Sequence, residues 1–225
     1  MLVMRLFELT ALPEKLEEFS AVGVHNLMSS LEKEAGTFFM ASTYEAGQPS
    51  KKVVFEIYQD DEAYQVHVVS EHFGQFAAFT KDSFSERLVH TLVPEVTVEK
   101  VEQKAFSDAS GLHLRLARVR VAQENAAAFK AIVAEEMATS VEVEAGVLAL
   151  LAGRDSEDLS QWYFFEVYAD ESAYEKHCQS PHFKKYIKQS ADLVLEKTLQ
   201  VLTGETWFLQ RSSFNSPPTL FSPQR

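Results

Sequence analysis

The stretch from Phe55 to His67 recurs, with conservative changes, from Phe165 to His177, and Ser70-Glu71-His72-Phe73 recurs as Ser180-Pro181-His182-Phe183. The displacement is 110 residues at both places (177 − 67 and 183 − 73). It also pairs Glu34-Ala35-Gly36 with Glu144-Ala145-Gly146, Phe19 with Phe129 and Arg5 with Arg115. Solenoid repeats run to roughly 20–50 residues, so a period this long is a whole domain. The chain must fold as two copies of one unit.

Within the first copy, Leu2 to Thr10 is apolar and β-prone, and Pro13-Glu14 opens a segment with Leu16, Phe19, Val22 or Gly23, and Leu27 at helical spacing. Gly36 offers a residue free to take positive φ where that helix ends. Thr37 to Tyr44 and Lys52 to Tyr58 read as strands joined by turn chemistry over residues 46–50. Asp60 and Ser70 are N-caps of two successive short helices, and Thr91 to Val98 supplies a last strand. The second copy repeats this order, with strands over 112–121, 147–152, 162–168 and near 205–210, and a first helix over 125–142. The expected fold class is α+β: two tandem ferredoxin-like β-α-β-β-α-β domains. Each leaves one sheet face uncovered, which predicts a pseudo-dimeric α/β barrel within one polypeptide. The expected domains are 1–104 and 105–211, with a polar linker over 99–111 and a Pro/Ser-rich tail, 212–225, disordered or laid along the surface.

Composition narrows the function. The 225 residues are 46% hydrophobic, enough for two small domains to bury cores, and the net charge of −12 argues against nucleic acid and anionic membranes as partners. The cluster Lys184, Lys185 and Lys188 reads as a solvated helix face. One cysteine, Cys178, excludes an intrachain disulfide, and with no signal peptide or long apolar run the expected location is cytoplasmic. Cys178 has no thiol counterpart, since its twin is Val68.

Glu-Ala-Gly after the first helix, Phe-Glu-Ile/Val-Tyr on the third strand, Asp-x-x-Ala-Tyr-x-x-His and Ser-x-His-Phe, in that order and twice, resemble the antibiotic biosynthesis monooxygenase domain. The resemblance implies a dimeric α/β barrel and a small-molecule substrate. Its members include quinol monooxygenases, cofactor-independent anthrone-type oxygenases, proteins that process a phosphorylated autoinducer, and haem-degrading enzymes. Two departures stand out: the family's usual Glu-Pro-Gly is Glu-Ala-Gly here, and neither first strand carries the asparagine used by substrate- and haem-holding members, which argues against haem degradation.

His67 and His177 sit on the helix face that meets the sheet, where a neutral imidazole can serve as general base or as a structural hydrogen-bonding group. His72 and His182 follow an N-cap and read as helix-start residues supporting the first pair. Glu56 with Tyr58, and Glu166 with Tyr168, share one side of the third strand. They orient the helix histidines if that side faces the helices, or form an interface network if it faces the other domain. Arg5 and Arg115 suit either an anionic oxygen of a ligand or a salt bridge. Glu8 against Arg118 and His25 against Glu135 are repeat positions that differ, which fits either loss of activity in one pocket or opposite charges meeting across a pseudo-twofold interface. No His/Asp/Glu set shows metal-ligand spacing and no glycine-rich loop opens a helix, so neither metal nor cofactor is expected. The resulting reading is a cofactor-independent monooxygenase acting on a small aromatic, quinol or related metabolite. The alternatives are an isomerase or lyase using the same base, and a non-catalytic binding or stress-response barrel. The chain is read as a monomeric pseudo-dimer, with further association left open.

Overall fold

The computed structural model describes residues 1–100 and 104–210, so residue 211 and the tail 212–225 lie outside the described residues. The first unit comprises β1 (Val3–Ala11), α1 (Leu16–Lys33), β2 (Thr37–Glu45), β3 (Gln48–Tyr58), α2 (Asp61–Val68), α3 (Glu71–Thr80) and β4 (Phe84–Glu99). After β5 (Lys104–Phe106) come β6 (His113–Val121), α4 (Ala126–Val143), β7 (Val147–Asp155), β8 (Gln161–Tyr168), α5 (Glu171–Gln179), α6 (Pro181–Ser190) and β9 (Val194–Leu209). Strand orders β2-β3-β1-β4 and β7-β8-β6-β9, antiparallel throughout, are the two expected ferredoxin-like sheets. No described helix is long and apolar enough to cross a membrane.

Local chemistry sets the helix starts. Asp60 and Asp170 accept the amides of Ala63 and Ala173, and Ser70 and Ser180 accept those of Phe73 and Phe183, so each second helix is broken into two where the sequence places a new cap. Gly36 departs from expectation, because its φ is not positive. Glycine is needed there for a close approach: a Cβ would lie 2.5 Å from the Cβ of Ala63, and Gly146 is pressed against Ala173 in the same way. The Glu-Ala-Gly and Asp-x-x-Ala motifs are therefore two sides of one contact. The positive φ belongs to Gly47, in a tight turn that leaves Gln48 to Ser50 inside β3 instead of in a five-residue loop.

The last strands are longer than the sequence suggested, at 16 residues each. Their first halves pair within their own unit, β4 with β1 and β9 with β6. Their second halves cross over: Leu92–Glu99 pair with β7, and Leu202–Leu209 with β2. These two crossings close eight strands into a barrel. Residues 85–89 and 195–199 are exposed on both faces, so they carry no apolar alternation from which a strand can be read. Within the segment expected as linker, β5 pairs with β9, and Ala109 is buried.

The barrel interior is one core drawn from both units. It contains Met4, Leu6, Phe55 and Ile57 together with Leu114, Leu116, Phe165 and Val167. Phe55 and Phe165 are repeat equivalents, and they stack on each other at 4.9 Å, with Phe39 edge-on to both. Burying each such ring contributes roughly 1.5–3 kcal/mol. On β3 the alternation sends Phe55 and Ile57 into the barrel, while Tyr58 packs with Leu27 of α1 and Val54 with Phe19. The Glu/Tyr side of β3, and of β8, thus faces the helices.

Polar groups lock the crossings. Glu205 of β9 accepts from Lys52 at 2.5 Å, Ser20 at 2.6 Å and Ser42 at 3.0 Å, all in the first unit. Its twin Glu95 of β4 binds Arg154 and Lys130 of the second unit. The opposed charges Glu8 and Arg118 meet as an ion pair across the seam. Glu135 instead pairs with Lys185 of its own unit.

Candidate functional site

Between helices and sheet, α1 delivers Ser30, the residue closing α1 is Glu34, and α2 and α3 deliver His67 and His72. His67 Nδ1 lies 3.0 Å from Glu34 Oε2, and His72 Nε2 lies 2.7 Å from Glu34 Oε1. Thr37 donates its hydroxyl to Glu34 at 2.6 Å, and Ser30 Oγ is 3.2 Å from both imidazoles. Burial acts to raise the Glu34 carboxyl, but the bonds from His67, Thr37 and His72 outweigh it and bring its pKa down to about 2. Glu34 is therefore a carboxylate, and both imidazoles turn an N–H toward it. That assignment leaves His67 Nε2 buried and without a partner.

The second unit builds the same frame with changed parts. His177 Nδ1 is 3.0 Å and His182 Nε2 2.6 Å from Glu144 Oε1. Val147 stands where Thr37 stood, so one hydroxyl donor is missing. The Glu144 and His182 side chains are 14% and 15% exposed, against 3% and 4% for Glu34 and His72. Asn26 of α1 becomes Glu136 of α4, which accepts from Ser140 at 2.7 Å and lies 3.7 Å from His177 Nε2. Burial raises the Glu136 carboxyl, opposed by Ser140 and His177.

Beneath the histidines, Tyr58 donates to Glu56 at 2.8 Å and Tyr168 to Glu166 at 3.0 Å. Burial pushes Glu56 up and both tyrosines well above the ordinary phenol value. Glu56 and Glu166 were expected to orient the histidines if they faced the helices. They do face them, but Glu34 and Glu144 hold the imidazoles, while Glu56 and Glu166 hold the tyrosines. The guanidinium groups of Arg5 and Arg115 stack on Tyr64 and Tyr174 at 4.3 and 4.0 Å.

The expectation that no residue set has metal-ligand geometry is corrected by the fold. Glu34, His67 and His72, and likewise Glu136, His177 and His182, bring donor atoms within 4.8 Å of one another. Two imidazoles and a carboxylate suit a transition-metal dication. In the first unit the separations of 2.7 and 3.0 Å are those of hydrogen bonds already satisfying Glu34. Sequence spacing hid the set because its members come from three helices.

A cavity of about 30 Å³ lies in the second unit, lined by Glu136, Glu166, Tyr168 and His177, with Ala117 and Phe183 among its apolar walls. That is room for about one water molecule. In the first unit the position of Ala117 is taken by Phe7, which joins Phe76, Phe79 and Phe84 around Phe19. The four histidines, two glutamates and two tyrosines singled out from sequence are thus brought into two matching sites, whereas Glu34, Glu144, Ser30, Ser140 and Glu136 were missed as site residues. The 110-residue offset does pair Ser30 with Ser140 and Glu34 with Glu144, and that was the available signal.

A model of the antibiotic biosynthesis monooxygenase family matches residues 2–78 and again 113–189. Among solved structures, a candidate monooxygenase from Lactobacillus acidophilus is 25% identical with a TM-score of 0.87, over 93% of this chain and 96% of that one. A second candidate monooxygenase, from Fusobacterium nucleatum, is 19% identical with a TM-score of 0.82, over 93% and 94%. An anthrone oxidase-like protein shares the fold at 11% identity and a TM-score of 0.57. No curated protein matches the sequence.

Proposed function

Because the chain belongs to the antibiotic biosynthesis monooxygenase family and carries its domain twice, we propose that it is a monooxygenase-type oxidoreductase acting on a small, electron-rich aromatic or quinol. The candidate-monooxygenase description of the Lactobacillus acidophilus relative supports the reaction type. The observation that carries the reading is His177: Nδ1 is fixed by Glu144, and the ring lines a cavity next to Glu136, Glu166 and Tyr168. With Nδ1–H donated to Glu144, the Nε2 lone pair is free to take a proton. A phenol or enol bound beside it loses that proton to Nε2, and the resulting electron-rich anion reacts with oxygen without a bound cofactor. Glu144 stabilises the imidazolium that forms and fixes its ring, as a buried acid does for other catalytic histidines.

The test is oxygen consumption by the full chain with a hydroquinone and with anthrone, alone and as His177→Ala. The variant should lose at least a hundredfold in kcat/KM, within the usual contribution of a general base. Undiminished turnover in His177→Ala combined with His67→Ala would overturn the reading. Turnover of the substrate under nitrogen would instead favour an isomerase or lyase using the same base.

A further inference from the structure

Glu136 is a buried carboxyl group that the reaction described above does not use. Its side chain is 9% exposed, its close hydrogen bond comes from the Ser140 hydroxyl at 2.7 Å, and Oε1 otherwise lies 3.7 Å from His177 Nε2. Buried carboxylates are ordinarily paired with a cation or bound to a metal. Glu144 anchors both neighbouring rings on one oxygen, 3.0 Å from His177 Nδ1 and 2.6 Å from His182 Nε2. With Nδ1–H donated to Glu144, His177 presents its Nε2 lone pair on the side of Glu136, which is how an outer carboxylate orients a metal-binding imidazole.

We infer that Glu136, His177 and His182 form a binding site for a divalent transition-metal ion of the zinc type, and that an ion held there inhibits the second unit by occupying His177 Nε2. The inhibition rests on the reading of His177 as the general base of a monooxygenase site. Two imidazoles and one carboxylate make a three-ligand set with a fourth position open. Metal–ligand bonds of about 2.0–2.2 Å at tetrahedral angles place donor atoms about 3.3–3.6 Å apart. The three side chains already bring donors within 4.8 Å of one another, and Glu136 Oε1 and His177 Nε2 stand at 3.7 Å, so small side-chain rotations close the set. In the first unit the separations of 2.7 and 3.0 Å fall short of that spacing, and the repeat position of Glu136 is Asn26. One ion per chain is therefore expected.

The space around the set suits an ion that can enter and exchange. The cavity bordered by Glu136 and His177, about 30 Å³, has room for the one water of the open position. A second cavity, of about 20 Å³, is lined by Glu136 and His182 together with Glu135 and Lys185, whose side chains are 61% and 51% exposed, so the set is reached from the surface between α4 and α6. In the larger cavity two carboxyl groups, Glu136 and Glu166, stand against one ammonium, Lys197, an imbalance that a dication offsets.

The probe is Zn²⁺, which has no redox chemistry of its own. Calorimetric titration of the full chain should give one ion per chain, and Co²⁺ should show the visible absorption of a four-coordinate site, lost when Zn²⁺ is added. Glu136→Gln and His182→Gln, each confirmed folded by circular dichroism, should weaken Zn²⁺ binding at least tenfold, whereas His72→Gln, in the first unit, should leave it unchanged. Absence of binding to micromolar protein, or binding that survives Glu136→Gln undiminished, overturns the site. With hydroquinone and oxygen, saturating Zn²⁺ should lower kcat about a hundredfold, the usual contribution of a general base. Bound Zn²⁺ that leaves turnover unchanged, or raises it, overturns the inhibition while the site stands. If the wild-type chain consumes no oxygen, the monooxygenase reading falls and the inhibition with it, and calorimetry and Co²⁺ absorption still decide the site.

Discussion

The two halves share a frame and differ in what fills it. In the first, Phe7 packs against the Leu9, Phe19 and Val54 cluster, Asn26 stands at the position equivalent to Glu136, and Glu34 accepts four close contacts from His67, His72 and Thr37 in near-complete burial. In the second, Ala117 leaves room, Glu136 faces His177, and Glu144 loses the threonine donor and gains exposure. One copy has the features of a scaffold, its Glu34 carboxylate fully engaged; the other has a cavity with titratable walls. Duplication permits this, because one unit can keep the barrel closed while its twin tolerates the cost of a partly unfilled core.

The largest expected contrast is between Glu34→Ala and Glu144→Ala. Removing Glu34 strands two buried imidazoles and should cost about 3–5 kcal/mol in urea unfolding, whereas the more exposed Glu144 should cost less than half as much. Equal losses would break the comparison. The acid limb follows closely. With its pKa lowered to about 2, Glu34 contributes stability that is fully present above the ordinary value of 4.5 and disappears as pH falls from there toward 2. At 1.36 kcal/mol per unit this is on the order of 3 kcal/mol, and Glu34→Gln should flatten acid unfolding over that window.

Ala117→Phe, which copies Phe7 into the second unit, should fill the cavity, lower hydroquinone turnover about a hundredfold, and cost about 1–3 kcal/mol through overpacking. Retained turnover would place the reaction elsewhere. The smallest effect lies at the seam. His90 contacts Asp155 at 2.8 Å and Glu8 at 3.5 Å, and the twin contact is Gln200 to Glu45 at 2.8 Å. The neighbouring Glu8 carboxylate, only partly offset by burial and aided by Asp155, raises the His90 pKa. Its contribution is therefore complete below about 6.5 and lost as pH rises through the raised value. His90→Gln should make one seam resemble the other and remove that alkaline decline, an effect under about 1 kcal/mol by thermal unfolding.

Much of the fold was legible because the motif itself is structural. Asp60 and Ser70 cap helices through local bonds that sequence displays directly, and the fixed offset demanded two equal units. The site was half legible. His67, His72, Glu56 and Tyr58 stand inside the repeated stretch, but Glu34 was given no role beyond the repeated Glu-Ala-Gly motif because its partners are 33 and 38 positions away. Gly36 was read for its φ, when its role is to let Ala63 approach.

By itself, then, the sequence determined that there are two ferredoxin-like units, where their helices start, and which side chains alternate on β3, because caps, turns and periodicity act between near neighbours. Three things were decided only in the tertiary structure. The ends of β4 and β9 cross between units to close the barrel; Glu34 and Glu144, and not Glu56 and Glu166, hold the histidines; and the cavity opens beside His177. Each depends on contacts between segments far apart in the chain, where a single exchange, Phe7 for Ala117 or Asn26 for Glu136, changes what the space between helices and sheet can hold.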